Sequence, residues 1–156
     1  MAYIDYARAI NSSFKGDGVL HRKVVQITNA QIKALRASPK ELVAAPGAGW
    51  FLELRKAILC LNYGSNVLTE SADNMVIEYG GGQDITGAIE ATGFIDATGD
   101  SYCTVYPAAI PVAAKAAIEN RAIQLFNTGD GEYAGNAGLD TTMTVIVEYW
   151  VHKSPF

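Results

Sequence analysis

The segment that organises this chain is ELVAAPGAGWFLELRKAILCLNYG, residues 41–64. Leu42 and Val43 begin an apolar run, Pro46–Gly49 carries the proline and glycines of a turn, and Trp50–Tyr63 predicts an unusually long strand. We therefore expect a β-hairpin over Glu41–Tyr63. Apolar and charged side chains alternate in the first half of the strand. Ala57–Leu61 is apolar throughout, which is typical of a strand covered on both faces or entering a subunit contact.

The residues before this segment predict a short strand and then a short helix. Val24–Ile27 has the composition of a strand. Thr28–Gln31 fits a capping box, in which the threonine and glutamine side chains satisfy each other's backbone amides. The helix should end after about two turns, because the residue before Pro39 is disfavoured in helical geometry.

The first 23 residues, MAYIDYARAINSSFKGDGVLHRK, show no sustained periodicity of either kind. Three aromatic residues lie among charges and a glycine-rich break. A tail that is only solvated would carry fewer large apolar side chains. We therefore predict an extended N-terminal arm, 1–23, that serves assembly, followed by one folded domain, 24–156. The alternative is a terminus without a role.

Downstream of residue 64 the chain predicts short strands separated by glycine-rich turns. Pro107–Asn120 is ambiguous between a loop and a short helix, because it combines helix-forming alanines with two prolines. The clearest strand is Thr142–His152, whose polar face is interrupted by Ile146 and Trp150, and we expect these two side chains at a subunit contact. About eight strands with turns every 8–12 residues favour an all-β, two-sheet β-sandwich with one or two short helices.

The composition indicates a folded domain with polarised charge. Apolar residues make up 49% and charged residues 18% of the 156 residues, and the net charge is −4, which argues against a disordered chain and against a nucleic-acid binder. Residues 1–56 hold nine basic and four acidic residues, +5, so the remainder carries −9. The two parts could neutralise each other within the fold, or the basic part could meet an acidic neighbour.

Cysteine content and hydropathy set expectations about location. Cys60 and Cys103 lie in apolar surroundings, and we interpret them as buried small apolar residues rather than a disulfide or reactive thiols. This predicts assembly in a reducing, cytoplasmic environment. No apolar run approaches the ~18 residues of a membrane span, and the N-terminus lacks a signal-peptide layout, so we expect no membrane partner.

The side chains that usually carry catalysis are sparse. There is no GxSxG, CxxC, HxH or HExxH motif, and the only histidines are His21 and His152, which we expect at the surface or in an interface. We therefore predict no enzyme, no catalytic, cofactor-binding or metal-binding residue, and no cofactor. One alternative is calcium binding by turn carboxylates, which are also ordinary turn formers; the two candidate pairs are Asp96 with Asp100 and Asp130 with Glu132.

Four segments resemble a group of small virion proteins of tailed bacteriophages. They are ITNAQIKALRASPKELVAAPGAGWFLEL, LNYGSNVLTESADNMVIEYG, IEATGFID and FNTGDGEYAGNAGLDTTMTVIVEYWVH, and together the resemblance covers roughly residues 24–153. This chain departs from the group's pattern at Trp50, where a small polar or basic residue is expected, and in its longer, more aromatic arm.

The resemblance implies a sandwich of jelly-roll character, assembly as a homotrimer, and a location on the capsid surface. It also implies a structural role as a capsid decoration protein that binds the major capsid protein, and it brings no catalytic residue. Two alternatives remain. One is a head-fibre base, neck or tail component of the same virion; the other is a carbohydrate-binding sandwich with a platform of Tyr79, Tyr106 and Tyr133.

Overall fold

The computed structural model describes residues 18–70, 74–108 and 113–156. Within these ranges the chain forms ten strands and two one-turn helices: β1 Val19–Ile27, α1 Asn29–Ile32, β2 Lys40–Val43, β3 Trp50–Asn62, β4 Leu68–Thr69, β5 Met75–Tyr79, β6 Gln83–Asp84, β7 Ser101–Val105, α2 Lys115–Ile118, β8 Ile123–Asn127, β9 Ala134–Gly135 and β10 Thr142–Lys153. The prediction of a β-rich chain with one or two short helices is confirmed.

Eight of these strands form two four-stranded sheets in which every neighbouring pair is antiparallel. The long-strand sheet has the order β1-β10-β3-β7, and the short-strand sheet has the order β2-β8-β5-β6. A separate two-stranded ladder, β4 with β9, lies in the loops. The register of β10 on β3 runs from Thr142 opposite Asn62 to Lys153 opposite Trp50, so β10 and β3 pair over nearly their full length.

The two sheets share one apolar core. Leu59 and Val145 of the long-strand sheet and Ile77 and Leu125 of the short-strand sheet are fully buried in the same cluster. Along β3 and β10 the buried residues alternate with more exposed ones, as expected for strands with one face on a core. The other face of the long-strand sheet is therefore left for solvent or for a partner.

The predicted hairpin over Glu41–Tyr63 is wrong. The strand β2 pairs with β8, whereas β3 pairs with β10 and β7, so the two strands belong to different sheets. The connection carries Gly47 at φ 99° and Gly49 at φ 78°, backbone conformations that glycine adopts readily. Proline and glycine mark a hairpin turn and a connection between two sheets equally well. The sequence therefore did not distinguish these two kinds of connection.

The first strand starts earlier than the predicted Val24. It begins at Val19, which pairs with Val151, so residues 19–23 of the predicted arm belong to the long-strand sheet. The run of charged residues Arg22 and Lys23 hid this strand, because an edge strand can expose both of its faces. Residues 1–17 lie outside the described ranges, and the arm prediction for them stays a prediction.

The predicted capping box is confirmed. The Thr28 hydroxyl accepts from the Gln31 amide at 3.4 Å, and the Thr28 amide donates to Gln31 Oε1 at 3.1 Å. The helix is one turn rather than two, and turn residues follow it. The Glu132 carboxylate accepts from the backbone amides of Arg36 at 3.0 Å and Ala37 at 2.7 Å, which ties this turn to the loop before β9.

Candidate functional site

The best candidate for a functional surface is the side of the long-strand sheet that faces away from the core, here called the outer face. Four residues that lie opposite one another, one from each strand, form a row across the middle of this face. Three members of that row are apolar: Val24, which is 47% exposed, and the half-buried Ile146 and Ile58. The apolar side chains of the whole face are Leu20, Val24, Phe51, Ile58, Cys60, Tyr102, Ile146 and Trp150.

A β-bulge shapes the middle of the outer face. The pairing of β10 with β3 shifts register between Glu148 and Tyr149, so Arg55 and Lys56 both lie opposite Glu148. Arg55 Nη1 is 2.8 Å and Lys56 Nζ 3.4 Å from the Glu148 carboxylate. Burial acts to raise the pKa of Glu148, but the hydrogen bond from Arg55 and the charge of Lys56 outweigh it, and the pKa is lowered.

Trp150 lies on the outer face beside this bulge. The Arg55 guanidinium lies 5.9 Å from the centre of the Trp150 ring, within the range of a cation–π contact. The sequence predicted Trp150 and Ile146 at a subunit contact. The structure places both of them half-buried on the outer face, and their contact with a second subunit stays a prediction.

The two histidines lie on opposite sides of the long-strand sheet. His152 is on the outer face, where its Nε2 is 2.7 Å from Glu53 Oε2 and its ring stacks on Phe51 with centroids 5.1 Å apart. His21 stacks on Tyr149, which packs against the core, with centroids 5.3 Å apart. The two histidines therefore cannot act on one substrate group together.

The two cysteines are free and differ in environment. Cys60 lies on the outer face, whereas Cys103 packs against the core from the neighbouring strand β7. Both are half-buried rather than fully buried. Burial raises the pKa of the Cys103 thiol, which disfavours the reactive thiolate.

Three of the four turn carboxylates considered for calcium bind backbone amides instead. Asp96 accepts from the Gly93 amide at 2.5 Å, Asp100 accepts from the Tyr63 amide at 2.8 Å, and Glu132 binds the turn after α1 as described above. These are the bonds of ordinary turn formers. No group of three or more histidine, cysteine or acidic side chains in residues 18–70, 74–108 and 113–156 could hold a metal ion.

The tyrosine platform considered for carbohydrate is wrong for two of its three residues. Tyr79 and Tyr133 are only 6% and 2% exposed, while Tyr106 is 64% exposed. Tyr79 points into the core on the same side of β5 as Met75 and Ile77, and its hydroxyl donates to the Leu52 carbonyl. Burial raises the pKa of Tyr79 to about 12. The two-residue alternation of side chains along β5 could have predicted that Tyr79 faces the core.

A buried polar network that the sequence analysis missed fixes the long glycine-rich loop before β10. Asn136, 1% exposed, accepts from Asn29 Nδ2 at 2.8 Å and from the Thr141 amide at 3.1 Å. Its own Nδ2 donates to the Asn66 carbonyl at 2.6 Å and to Asp140 Oδ1 at 2.9 Å. The only signal in the sequence was an asparagine within a glycine-rich loop, which is common in turns.

The acidic side chains gather where β3 ends and β10 begins, here called the loop end, residues 63–70, 90–100 and 128–141. The β4–β9 ladder joins the first and third of these loops, and the Tyr63 amide donates to Asp100 of the second, so the three loops lie together. The acidic residues of the loop end are Glu70, Glu90, Asp96, Asp100, Asp130, Glu132 and Asp140. By contrast, the exposed bases Arg22, Lys23 and Arg55 lie along β1 and β3.

The pH dependence of stability should carry a contribution from Glu78. It is 5% exposed, and Gln124 Nε2 donates to its carboxylate at 2.6 Å. Burial raises its pKa, Gln124 opposes the shift, and Asp84 adds to it. A raised pKa means that the folded state binds the proton more tightly, so stability falls as pH rises from the ordinary value of 4.5 through the folded value.

We therefore expect Glu78→Gln to be more stable than the wild type at pH 7. The advantage should disappear below the ordinary pKa of 4.5, where the carboxyl is protonated in both states. Urea titrations at pH 7 and at about pH 3.5 measure it. The control is Glu41→Gln, at an exposed position, which should change stability at neither pH. A variant less stable than the wild type at pH 7 would contradict the expectation.

Two clefts of the described surface are open to solvent and lack a catalytic arrangement. Each has a volume of about 440 Å³. One is lined by Lys115, Ala116, Glu119, Asn120 and Arg121, and the other by Arg36, Ala37, Phe126, Asp130, Gly131 and Glu132. Neither brings a serine, threonine or cysteine beside a histidine, the pairing that nucleophilic catalysis commonly needs.

Comparison with known proteins identifies no relative of this chain. Among the residues that the structure describes, no helix is both long and apolar enough to cross a membrane. The resemblance to phage virion proteins thus rests on the four sequence segments quoted above, and the role it implies is a prediction. Searches against protein families, curated proteins and solved structures find no significant match to this chain.

Proposed function

We propose that this protein is a structural virion component, a capsid decoration protein with a jelly-roll fold that acts on the outside of a phage head. The observation that carries the proposal is the strand order, taken together with the four phage-like sequence segments. Jelly rolls are eight-stranded, double-sheet folds that recur in viral capsid proteins, lectins and cupins. Under this proposal the protein performs no catalysis and uses no cofactor.

The strand order supports a jelly roll as follows. With the two-residue strands β4 and β9 set aside, eight strands remain, four in each sheet. Successive strands β1, β2, β3 and β5 alternate between the two sheets, β6 stays beside β5, and β7, β8 and β10 alternate again. The last strand, β10, lies between β1 and β3. This interleaving of both halves of the chain is expected when two Greek keys form one sandwich.

The outer face supports assembly into an oligomer, which we propose to be a trimer. Its apolar row crosses the middle of the sheet, and the charges next to it are paired within the chain, Glu148 with Arg55 and Lys56. Paired charges are cheaper to enclose in an interface than an isolated one. A central apolar patch with Trp150, bounded by polar side chains, has the composition of a subunit interface.

Assembly of several copies explains how weak contacts could hold the protein on a capsid. A trimer that binds three neighbouring capsid subunits gains from effective concentration, so its affinity for the lattice can exceed that for one subunit by a factor on the order of 10²–10⁴. The partner in this proposal is the major capsid protein. The exposed bases of β1, Arg22 and Lys23, would favour an acidic area of that lattice.

The test is to mix purified protein with undecorated heads of its phage and to count bound copies by gel densitometry. We expect saturation at hundreds of copies per head, much weaker binding to unassembled capsid protein, and partial release at high salt. Saturation at a few or a few dozen copies would instead identify a vertex, neck or tail component. Failure to bind any part of the particle would refute the proposal.

A further inference from the structure

The nine-residue strand β1 lies at the edge of the long-strand sheet. It pairs with β10 along its whole length, and no other strand within residues 18–70, 74–108 and 113–156 pairs with its far side. An open edge presents unpaired backbone donors and acceptors, to which an extended segment of another chain can add as a further strand.

The side chains of β1 restrict which segment could add there. Val19, Leu20 and Val24 are 43%, 48% and 47% exposed, which is high for apolar residues in a strand. Between them, Arg22 and Lys23 are exposed on the two sides of the strand. This pattern offers apolar contacts at both ends and positive charge in the middle.

Neither cation has an ion-pair partner among the residues that the structure describes. The register partner of Arg22 on β10 is Glu148, but that carboxylate is already bound by Arg55 and Lys56. Among the described residues the charges of Arg22 and Lys23 are therefore unpaired, in contrast to those of Arg55 and Lys56.

The positive charge also disfavours antiparallel pairing of β1 with the β1 strand of a second copy. Two β1 strands paired antiparallel about their central residue would place Lys23 of one copy opposite Lys23 of the other, with each Arg22 one position away. Like charges that face each other across strands are destabilising, and basic residues on an edge are a known protection against such pairing. The occupant that fits is a segment with the opposite charge.

We propose that the open edge of β1 binds an extended, acidic segment of another protein by strand addition. The segment would run antiparallel to β1, with acidic side chains opposite Arg22 and Lys23 and apolar side chains opposite Val19 and Val24. Main-chain hydrogen bonds would supply affinity, and the charge pairing would set register and select the partner. The backbone edge of β1 differs from the outer face, with which it shares the side chains of Leu20, Arg22 and Val24. The proposal does not depend on the virion assignment.

The test uses dye-labelled peptides with blocked termini and fluorescence anisotropy. The probe is VTVEEVTV, and the controls are VTVKKVTV, which reverses the charge, and VTPEEPTV, whose prolines remove backbone donors and disfavour strand pairing. We expect saturable binding of the acidic peptide at 0.15 M salt and at least tenfold weaker binding of both controls. Amide hydrogen exchange should show the added protection on β1 and not on β7, the other edge of the sheet.

Paired variants locate the site. Arg22→Gln with Lys23→Gln should weaken binding of the acidic peptide at least tenfold. Lys115→Gln with Arg121→Gln removes the same charge beside a distant cleft and should leave binding unchanged; circular dichroism verifies that both variants are folded. Equal binding of the acidic and lysine peptides, protection located on β7, or an unchanged affinity of the first variant would each overturn the proposal. So would self-association through β1 that blocks the peptide.

Discussion

Replacing Trp150 by alanine should weaken self-association by about 2 kcal/mol or more, roughly thirtyfold in the association constant. Trp150 lies on the outer face, half-buried and held under the Arg55 guanidinium, which is the position of a preformed aromatic anchor. Truncation removes the largest apolar side chain of that face while leaving the core untouched. Sedimentation equilibrium of the wild type and the variant over a range of concentrations measures the change.

The matched control is Phe156→Ala. Phe156 is 80% exposed at the end of the chain and lies outside every strand, so its removal should leave the association constant unchanged. If both variants weaken association equally, the effect comes from general surface hydrophobicity rather than from the outer face. An oligomer that survives Trp150→Ala without change would count against the outer face as the subunit contact.

Replacing Asn136 by alanine should lower the free energy of unfolding by about 3 kcal/mol, which corresponds to a fall in Tm of roughly 6–12 °C for a domain of this size. The substitution removes both the acceptor of Asn29 and the donor to Asp140, in a site that is only 1% exposed. It also places alanine at φ 43°, in the left-handed region that non-glycine residues avoid. Thermal and urea unfolding followed by circular dichroism measure the loss.

Two further substitutions separate the causes. Asn136→Gly relieves the backbone cost but not the lost hydrogen bonds, so it should recover about 1 kcal/mol relative to alanine. Asn62→Ala removes an exposed asparagine whose bonds to Thr142 and Thr144 are long, 3.4 and 3.3 Å, and should cost less than about 0.5 kcal/mol. Equal losses for Asn136→Ala and Asn62→Ala would show that the buried network contributes little.

Local patterns predicted the elements whose physics is local. The capping box at Thr28 depends on residues three apart, and the structure contains it. The long strand from Trp50 and the last strand from Thr142 follow from side-chain alternation, because each has one face on the core. The partly polar side of the last strand correctly identified Ile146 and Trp150 as side chains outside the core.

Features that depend on distant parts of the chain could not be derived in this way. The partner of Asn136 in the buried network is Asn29, which is 107 residues away in the sequence. The crossing from β2 to β3 between sheets depends on which strands pair with each of them, and the turn residues do not encode that. The early start of β1 depends on its place at a sheet edge, where Arg22 and Lys23 remain in solvent.

The proposal that this protein assembles through its outer face is tested most directly by the mass of the wild type in solution. The chain has a mass of 16.7 kDa, so a trimer has three times that mass, about 50 kDa. Sedimentation equilibrium across micromolar concentrations should give the trimer mass, falling toward that of the single chain on dilution or in Trp150→Ala. A wild type that remains at 16.7 kDa at every concentration would contradict assembly through the outer face.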